Sequence, residues 1–332
     1  MTPREKFNRV FNFEKVEGSL PLIEWAAWWN ATIKKWEEQG FPKGMEWGKT
    51  LEYFGLDKLI NIGASPRREG CPNPKSHGAG IAPDEQSYEA ILEYLYPQKS
   101  IDDLINRALN LKESHDKGEC IIRVWMDGFF WFPRSLMGIQ NHLFAFYEQP
   151  ELIKRINNDV AEFHIKTAEA LFKVFKPDMV GIAEDMSYNH GSMISYDMFR
   201  EFLLPYYQRL IPVIKKHGIK VLIDSDGNVH ELIPWLIEAG IDGIYPLERQ
   251  SHVDINYIRE KFPKFLMFGG YNKLVMSKGE AAMREEFERV LPVMKSGGFI
   301  VSVDHQTPPE VTLENYKIYV KLLKEYSEKA AQ

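Results

Sequence analysis

A series of acids and one histidine stands just beyond short apolar runs in this sequence: Glu24, Asp127, Glu184, Asp185, Asp224, Asp226, Glu248, Asp304 and His305. If one fold gathers them, so many carboxylates cannot all stay ionised at close range without a cation or raised pKa values. Two chemistries follow: a metal ion held by some of them, or acid and base work by carboxyls that share protons. Several could instead cap helices or accept from loop amides, and Asp127 and Asp226 each precede a glycine in a turn, where that role is common. His305 differs, because it follows a strand-like run and precedes the extended Pro308-Pro309.

The periodicity of the chain says which elements would position these groups. Ile219 to Glu248 orders the rest. Lys220 to Ile223 is an apolar strand running into the polar turn Asp224 to Asn228. An amphipathic helix follows through Leu232, Ile233, Leu236 and Ile237, closed by Gly240 as a left-handed cap, and a second strand, Ile241 to Tyr245, leads to Glu248. This is a βαβ unit with acids beyond both C-terminal strand ends. In parallel α/β folds chemistry sits at that edge, because loops there vary without disturbing the sheet. The same alternation predicts further strands at 21–25, 59–62, 120–125, 179–183, 265–268 and 299–303. A helix with the capping box Thr2-Pro3-Arg4-Glu5 opens the chain. Residues 63–90, rich in Gly, Pro and Ser, read as a long excursion for which a hairpin is one form. Eight strands alternating with helices to the C-terminus fit an α/β fold, a single-domain (β/α)8 TIM barrel over 1–332, better than an open sheet.

At 332 residues and 44% hydrophobic content the chain can bury a large core. No apolar run approaches the roughly 18 residues of a membrane span, and no signal-peptide pattern opens the chain, so a cytoplasmic protein without a membrane partner is expected. A net charge of −6 gives no footprint for nucleic acid. Cys71 and Cys120 form no disulfide framework. No Gly-x-Gly-x-x-Gly turn or phosphate loop follows any strand, so a dinucleotide or nucleoside triphosphate fold has no support.

Pro21-Leu22-Ile23-Glu24 with the tryptophans after it, Glu184-Asp185-Met186, Asp197-Met198-Phe199-Arg200 with Leu204-Pro205-Tyr206, Asp226-Gly227-Asn228, Gly243-Ile244-Tyr245-Pro246-Leu247-Glu248, Phe268-Gly269-Gly270 and Glu314-Asn315-Tyr316 together resemble the uroporphyrinogen decarboxylase superfamily, end to end. The resemblance implies the eight-stranded barrel and one of two activities, porphyrinogen decarboxylation or corrinoid-dependent methyl transfer. The decarboxylases carry an arginine-rich N-terminal signature that holds the acidic side chains of a tetrapyrrole; the corresponding LPLIEWAAWWNATIKKW has no arginine, and buried carboxylates need paired cations. The methyltransferase branch places zinc on His-x-Cys after strand five and Cys after strand eight, and related zinc enzymes add a glutamate after strand six. Asp224-x-Asp226, Glu248 and His305 occupy those positions here. The thiolates are gone, but every position keeps a metal-capable group, with zinc first and Mn, Fe or Mg admitted by the harder donors.

What the resemblance implies is then a methyltransferase, an O-demethylase component that moves a methyl group from a small O-methylated donor, such as a phenyl methyl ether, to the cobalt of a separate corrinoid protein. A divalent metal would sit on Asp226, Glu248 and His305, with Asp224 as a further ligand or the partner behind it. Glu184 or Asp185 would deliver the proton. Trp25, Trp28, Trp29, Phe129, Phe130 and Trp131 would wall the substrate, with Glu24 and Tyr188 beside it. A homo-oligomer is compatible with this reading. The alternatives are a metal-free decarboxylase of the uroporphyrinogen type and a non-catalytic barrel that binds a ligand or partner.

Overall fold

The computed structural model describes residues 1–76 and 78–331. Seven parallel strands pair in chain order: β1 (Lys58–Gly63), β2 (Cys120–Asp127), β3 (Met179–Ala183), β4 (Lys220–Asp224), β5 (Gly243–Tyr245), β6 (Leu266–Tyr271) and β7 (Phe299–Val303). Their sequences are apolar almost throughout, as parallel strands covered on both faces must be. Val180, Ile182, Val221, Leu222, Ile223 and Ile244 are fully buried. Removing each such side chain from water is worth about 1.5–3 kcal/mol, so the sheet and the helices on it hold the fold.

Register sets the level of the strand ends. Asp127 pairs with Ala183, Ala183 with Asp224, and Asp224 with Tyr245. One rung therefore crosses the ends of β2 to β5, and the residues that follow leave the sheet on the same edge.

One expected strand does not form, and the excursion takes another shape than a hairpin. Residues 21–25 are not a strand: Ile23 makes one parallel bridge to Asp57, just before β1, and Trp28 one to Thr307, just after β7. Pro21 has no amide hydrogen to give a ladder and Ala27 turns to φ +69°, so the segment touches both edges of the sheet without pairing along either. Within the described residues of 63–90 there is no hairpin. That stretch holds the helix Glu85–Ile91, capped by Asp84, and is tied down by single bridges from Arg67 to Leu95 and from Ala79 to Gly138. A small hairpin forms instead after β3, where Ser187–Tyr188 pairs with Gly191–Ser192. It lies against the turn after β4, with the Asn228 amide donating to the Tyr188 carbonyl at 2.8 Å. Gly227 is required there: its φ is +85°, and a Cβ would stand 2.7 Å from the Tyr188 backbone.

Other readings hold. Thr2 and Glu5 form the capping box of helix Pro3–Phe11, and Gly240 follows helix Leu232–Glu238 at φ +82°. Three helices follow β2, Trp131–Met137, Ile139–Glu148 and Pro150–Leu171, with Gly138 at φ +85° between the first two. Among the described residues no helix is long and apolar enough to cross a membrane.

Candidate active site

The two acids after β3 part company at once. Glu184 turns inward and is fully buried. Its carboxyl accepts from the amides of Phe129 (2.8 Å), Phe130 (2.7 Å) and Trp131 (3.1 Å), and from the Tyr207 hydroxyl. Burial raises its pKa, and those hydrogen bonds oppose the rise. Gly128 makes the approach feasible, since a Cβ at that position would lie 2.1 Å from the Glu184 carboxyl carbon. Asp185 turns outward instead, at φ +45°, a conformation that Asp tolerates better than most residues. Arg134 Nη1 donates to both its carbonyl (2.9 Å) and its carboxylate (3.1 Å).

Beyond this edge of the sheet lies a cavity of about 280 Å3, lined by Trp125, Trp131, Ala183, Asp185, Asp224 and Asp226. Burial raises the pKa of Asp224 to about 7; Arg123 pulls it down while Asp185 and Glu248 push it up. Asp226 goes to about 8, through burial and then the charges of Glu248, Asp224 and Asp185, against Lys273. Its side chain is 41% exposed, so the carboxyl sits at the cavity mouth and can meet a ligand. His305 Nε2 faces Asp226 Oδ2 at 3.6 Å. Burial and Lys273 lower the pKa of that imidazole, against Glu248 and Asp185. Both shifts favour the uncharged forms, a carboxylic acid facing a neutral imidazole.

Glu248 and Asp304 are held by other groups. Glu248 accepts from the Gly227 amide at 3.1 Å and lies 3.8 Å from the Lys273 ammonium. Asp304, fully buried, accepts from the amides of Arg249 (3.0 Å) and Lys273 (3.1 Å), with Lys273 Nζ at 3.6 Å. Lys273 thus already supplies a cation to this side of the mouth. Among the described residues no three His, Cys, Asp or Glu side chains gather closely enough to hold a metal ion. An ammonium beside Glu248 would also repel a dication placed on that carboxylate. The set Asp226, Glu248 and His305 does not fit a metal in this arrangement, although all three residues do stand at one mouth.

The aromatic wall is narrower than expected. Trp131 lines the cavity, and Trp125, which the sequence reading passed over, lines it too. Trp25 donates its indole N–H to the Val303 carbonyl at 2.7 Å and lies edge-on to His305. The others serve elsewhere. Phe129 and Phe130 are core residues, Trp28 packs among Trp36, Trp47, Phe54 and Tyr316, and Trp29 and Tyr188 are each 48% exposed. Glu24 is buried away from the cavity, accepting from Tyr316 Oη at 2.9 Å and the Ala26 amide at 3.3 Å, and burial lifts its pKa to about 8.

Two cations were missed from the sequence. Lys273 is one. Arg123 is the other, buried in the interior of β2, with Nε donating to Asn61 Oδ1 at 2.6 Å and the rings of Tyr245, Trp125 and Trp25 centred 5.1, 5.2 and 5.9 Å from its guanidinium carbon. Its Nη1 has no partner among the described residues. The signal was a single charge in the run Cys-Ile-Ile-Arg-Val-Trp; a charge kept inside an apolar strand needs a partner or a purpose.

The profile of the family described as Uroporphyrinogen decarboxylase (URO-D) matches residues 117–326. Among solved structures, a methyltransferase from Methanosarcina mazei superposes with a TM-score of 0.64 at 16% identity, over 98% of this chain and 99% of that one. A beta-glycosidase from Thermosphaera aggregans gives 0.48 at 9% identity, over 84% of each chain. At 16% identity the likeness to the methyltransferase is one of fold. No curated protein matches the chain.

Proposed function

This chain belongs to the uroporphyrinogen decarboxylase family, and from that premise we propose a methyltransferase that takes the methyl group of a small aryl methyl ether and passes it to the cobalt of a corrinoid held by a separate protein. One observation carries the reading: Asp226 lines a small cavity walled by two tryptophans and faces His305 at 3.6 Å, where burial and the acids around it raise its pKa to about 8. An ether methyl resists transfer because the oxygen that must leave is a strong base. A carboxylic acid within reach of that oxygen relieves the difficulty, typically by ~10²–10⁴ in rate. As the C–O bond breaks, its electron pair stays on oxygen and the Asp226 proton moves there. The electron pair of the acceptor forms the new bond to the methyl carbon. Asp226 is left as a carboxylate, and neutral His305 beside it relays a replacement proton from solvent.

Trp125 and Trp131 offer flat apolar faces to an aromatic ring. The name of the Methanosarcina mazei neighbour, a methyltransferase, supports the direction of the reading. Asp185, Asp224, Asp226 and Glu248 at one mouth disfavour a substrate with many carboxylates, which weighs against tetrapyrrole decarboxylation. The reading also takes the segment around Ile23 to Trp28, bridged beside β1 and β7, as the eighth stave that closes the sheet into a barrel.

Purified protein given methoxybenzenes and a reduced corrinoid should release phenols and methylate the corrinoid. Carbon dioxide release from uroporphyrinogen, with no phenol from any ether, would replace this reading with decarboxylation.

A further inference from the structure

A second cavity, of about 220 Å3, shares Trp131 as a wall with the first. Asp185, Asp224 and Asp226 line the first cavity, and Arg67, Arg134 and Ser135 line the second together with Ala79 and Gly138, with the Arg134–Asp185 contact joining the two sets. Arg67 forms no ion pair among the described residues. Its Nη2 donates to Ser135 Oγ, and its guanidinium lies 5.7 Å from the centre of the Phe132 ring. The closest acid in effect is Asp127, whose carboxyl Arg67 favours in the ionised form without contact. Arg134 gives Nη1 to Asp185 and packs its guanidinium 5.3 Å from the Trp131 ring centre. Among the described residues its Nε and Nη2 have no acceptor, so both arginines present unused donors to the pocket.

Donors forked in a plane inside a half-enclosed pocket are complemented by a planar oxyanion that accepts parallel N–H···O bonds. The acid-lined cavity that shares Trp131 is a poor place for a second oxyanion, since its carboxyls already raise one another's pKa. A ligand that spans both cavities must therefore be polarised: an oxyanion at the arginine end, an uncharged oxygen at the acid end, and a flat body along the indole. We propose that the Arg67–Arg134 pocket docks a carboxylate of the methyl donor, which makes the donor a methoxylated aromatic acid. The ring lies along Trp131 and the methyl ether reaches Asp226. This assignment rests on the methyl-transfer reading above for the ether end, but its anion site can be tested without any turnover.

The test is quenching of tryptophan fluorescence by benzoate, 4-methoxybenzoate, methoxybenzene and inorganic phosphate, for wild type, Arg67→Gln and Arg67→Lys. Wild type should bind both aromatic acids at least about tenfold more tightly than methoxybenzene. Arg67→Gln should weaken the acids by about 10- to 100-fold and leave methoxybenzene unchanged, the effect of one charge-assisted fork. Arg67→Lys should recover part of the loss, since an ammonium keeps the charge and lacks the fork. Equal affinity for acid and neutral ether, equal weakening of both by Arg67→Gln, or preference for phosphate over benzoate overturns the subsite. Should Arg67→Gln misfold by near-UV circular dichroism, the wild-type preference for acid over neutral ether decides alone. Failure of the parent reading would look different: acids would still bind in an Arg67-dependent way, and no ether would release phenol.

Discussion

Asp226 and His305 divide a proton between groups whose ordinary pKa order is reversed, the carboxyl raised and the imidazole lowered. That inversion makes the acid form of Asp226 the working form, so activity should hold at neutral pH and fall as pH rises through about 8. Asp226→Asn keeps the shape and loses the proton; ether cleavage should drop by about 10²–10⁴, measured as initial rates, with the thermal midpoint unchanged. A pH profile flat across this range would remove Asp226 from the role. Glu24 shows the same shift put to another use. Its folded pKa of about 8 exceeds the ordinary carboxyl value, so between the two the folded state holds a proton that the unfolded state releases. Stability should therefore decline as pH rises across that window and level off above it. Glu24→Gln, neutral at every pH, should flatten the decline in thermal melts. If wild type and variant melt in parallel from about pH 5 to 8, Glu24 is ionised in the fold.

At the scale of elements, the turn from β2 into helix Trp131–Met137 exists because Glu184 gathers the amides of Phe129, Phe130 and Trp131. Trp131 lines both cavities, so an acid outside the site sets the site's shape. Glu184→Ala would leave those buried donors unmatched. The expected cost is at least about 3 kcal/mol in denaturant unfolding, given ~1–3 kcal/mol for each unsatisfied group. A loss under about 1 kcal/mol would mean that water replaces the carboxylate. The position of Glu184 was legible from the strand before it, Met179 to Ala183, yet its direction was not. Whether an acid beyond a strand faces the mouth or the core depends on donors brought by another strand, and periodicity carries no record of them. The 21–28 segment was misread for a related reason: its residues have strand character, but the bridges they make are set by edges more than thirty positions away in one direction and at the far end of the chain in the other. The metal set inferred from family spacing met the same limit, because residue types and their order do not reveal that Lys273 stands beside Glu248.

The whole molecule separates its work between the two ends of the sheet, as parallel α/β folds do. Opposite the acid cavity, Asp178 enters β3 and ties four elements together: it accepts from Arg4 Nε (2.8 Å) and Asn8 Nδ2 (3.0 Å) of the first helix, lies 2.8 Å from His115 Nε2, and accepts from the Ile122 amide of β2 at 2.8 Å. Burial alone would raise its pKa, but His115, the Ile122 amide and Arg4 together hold it below the ordinary value. A carboxyl lowered in the fold contributes stability that is present above its unfolded pKa and is lost as pH falls through the folded one. Asp178→Ala should therefore cost about 2–4 kcal/mol at neutral pH, since it leaves the buried His115 ring and Ile122 amide without their partner, at ~1–3 kcal/mol for each unsatisfied group. It should also make the variant less sensitive to acid than wild type. Ether cleavage by the fraction that remains folded should keep its KM and kcat. Asp226→Asn should do the reverse, losing rate and keeping its melt. If Asp178→Ala shifts kcat as strongly as it shifts the melt, the two ends are coupled through the strands, and the division of labour assigned here to the sheet does not hold.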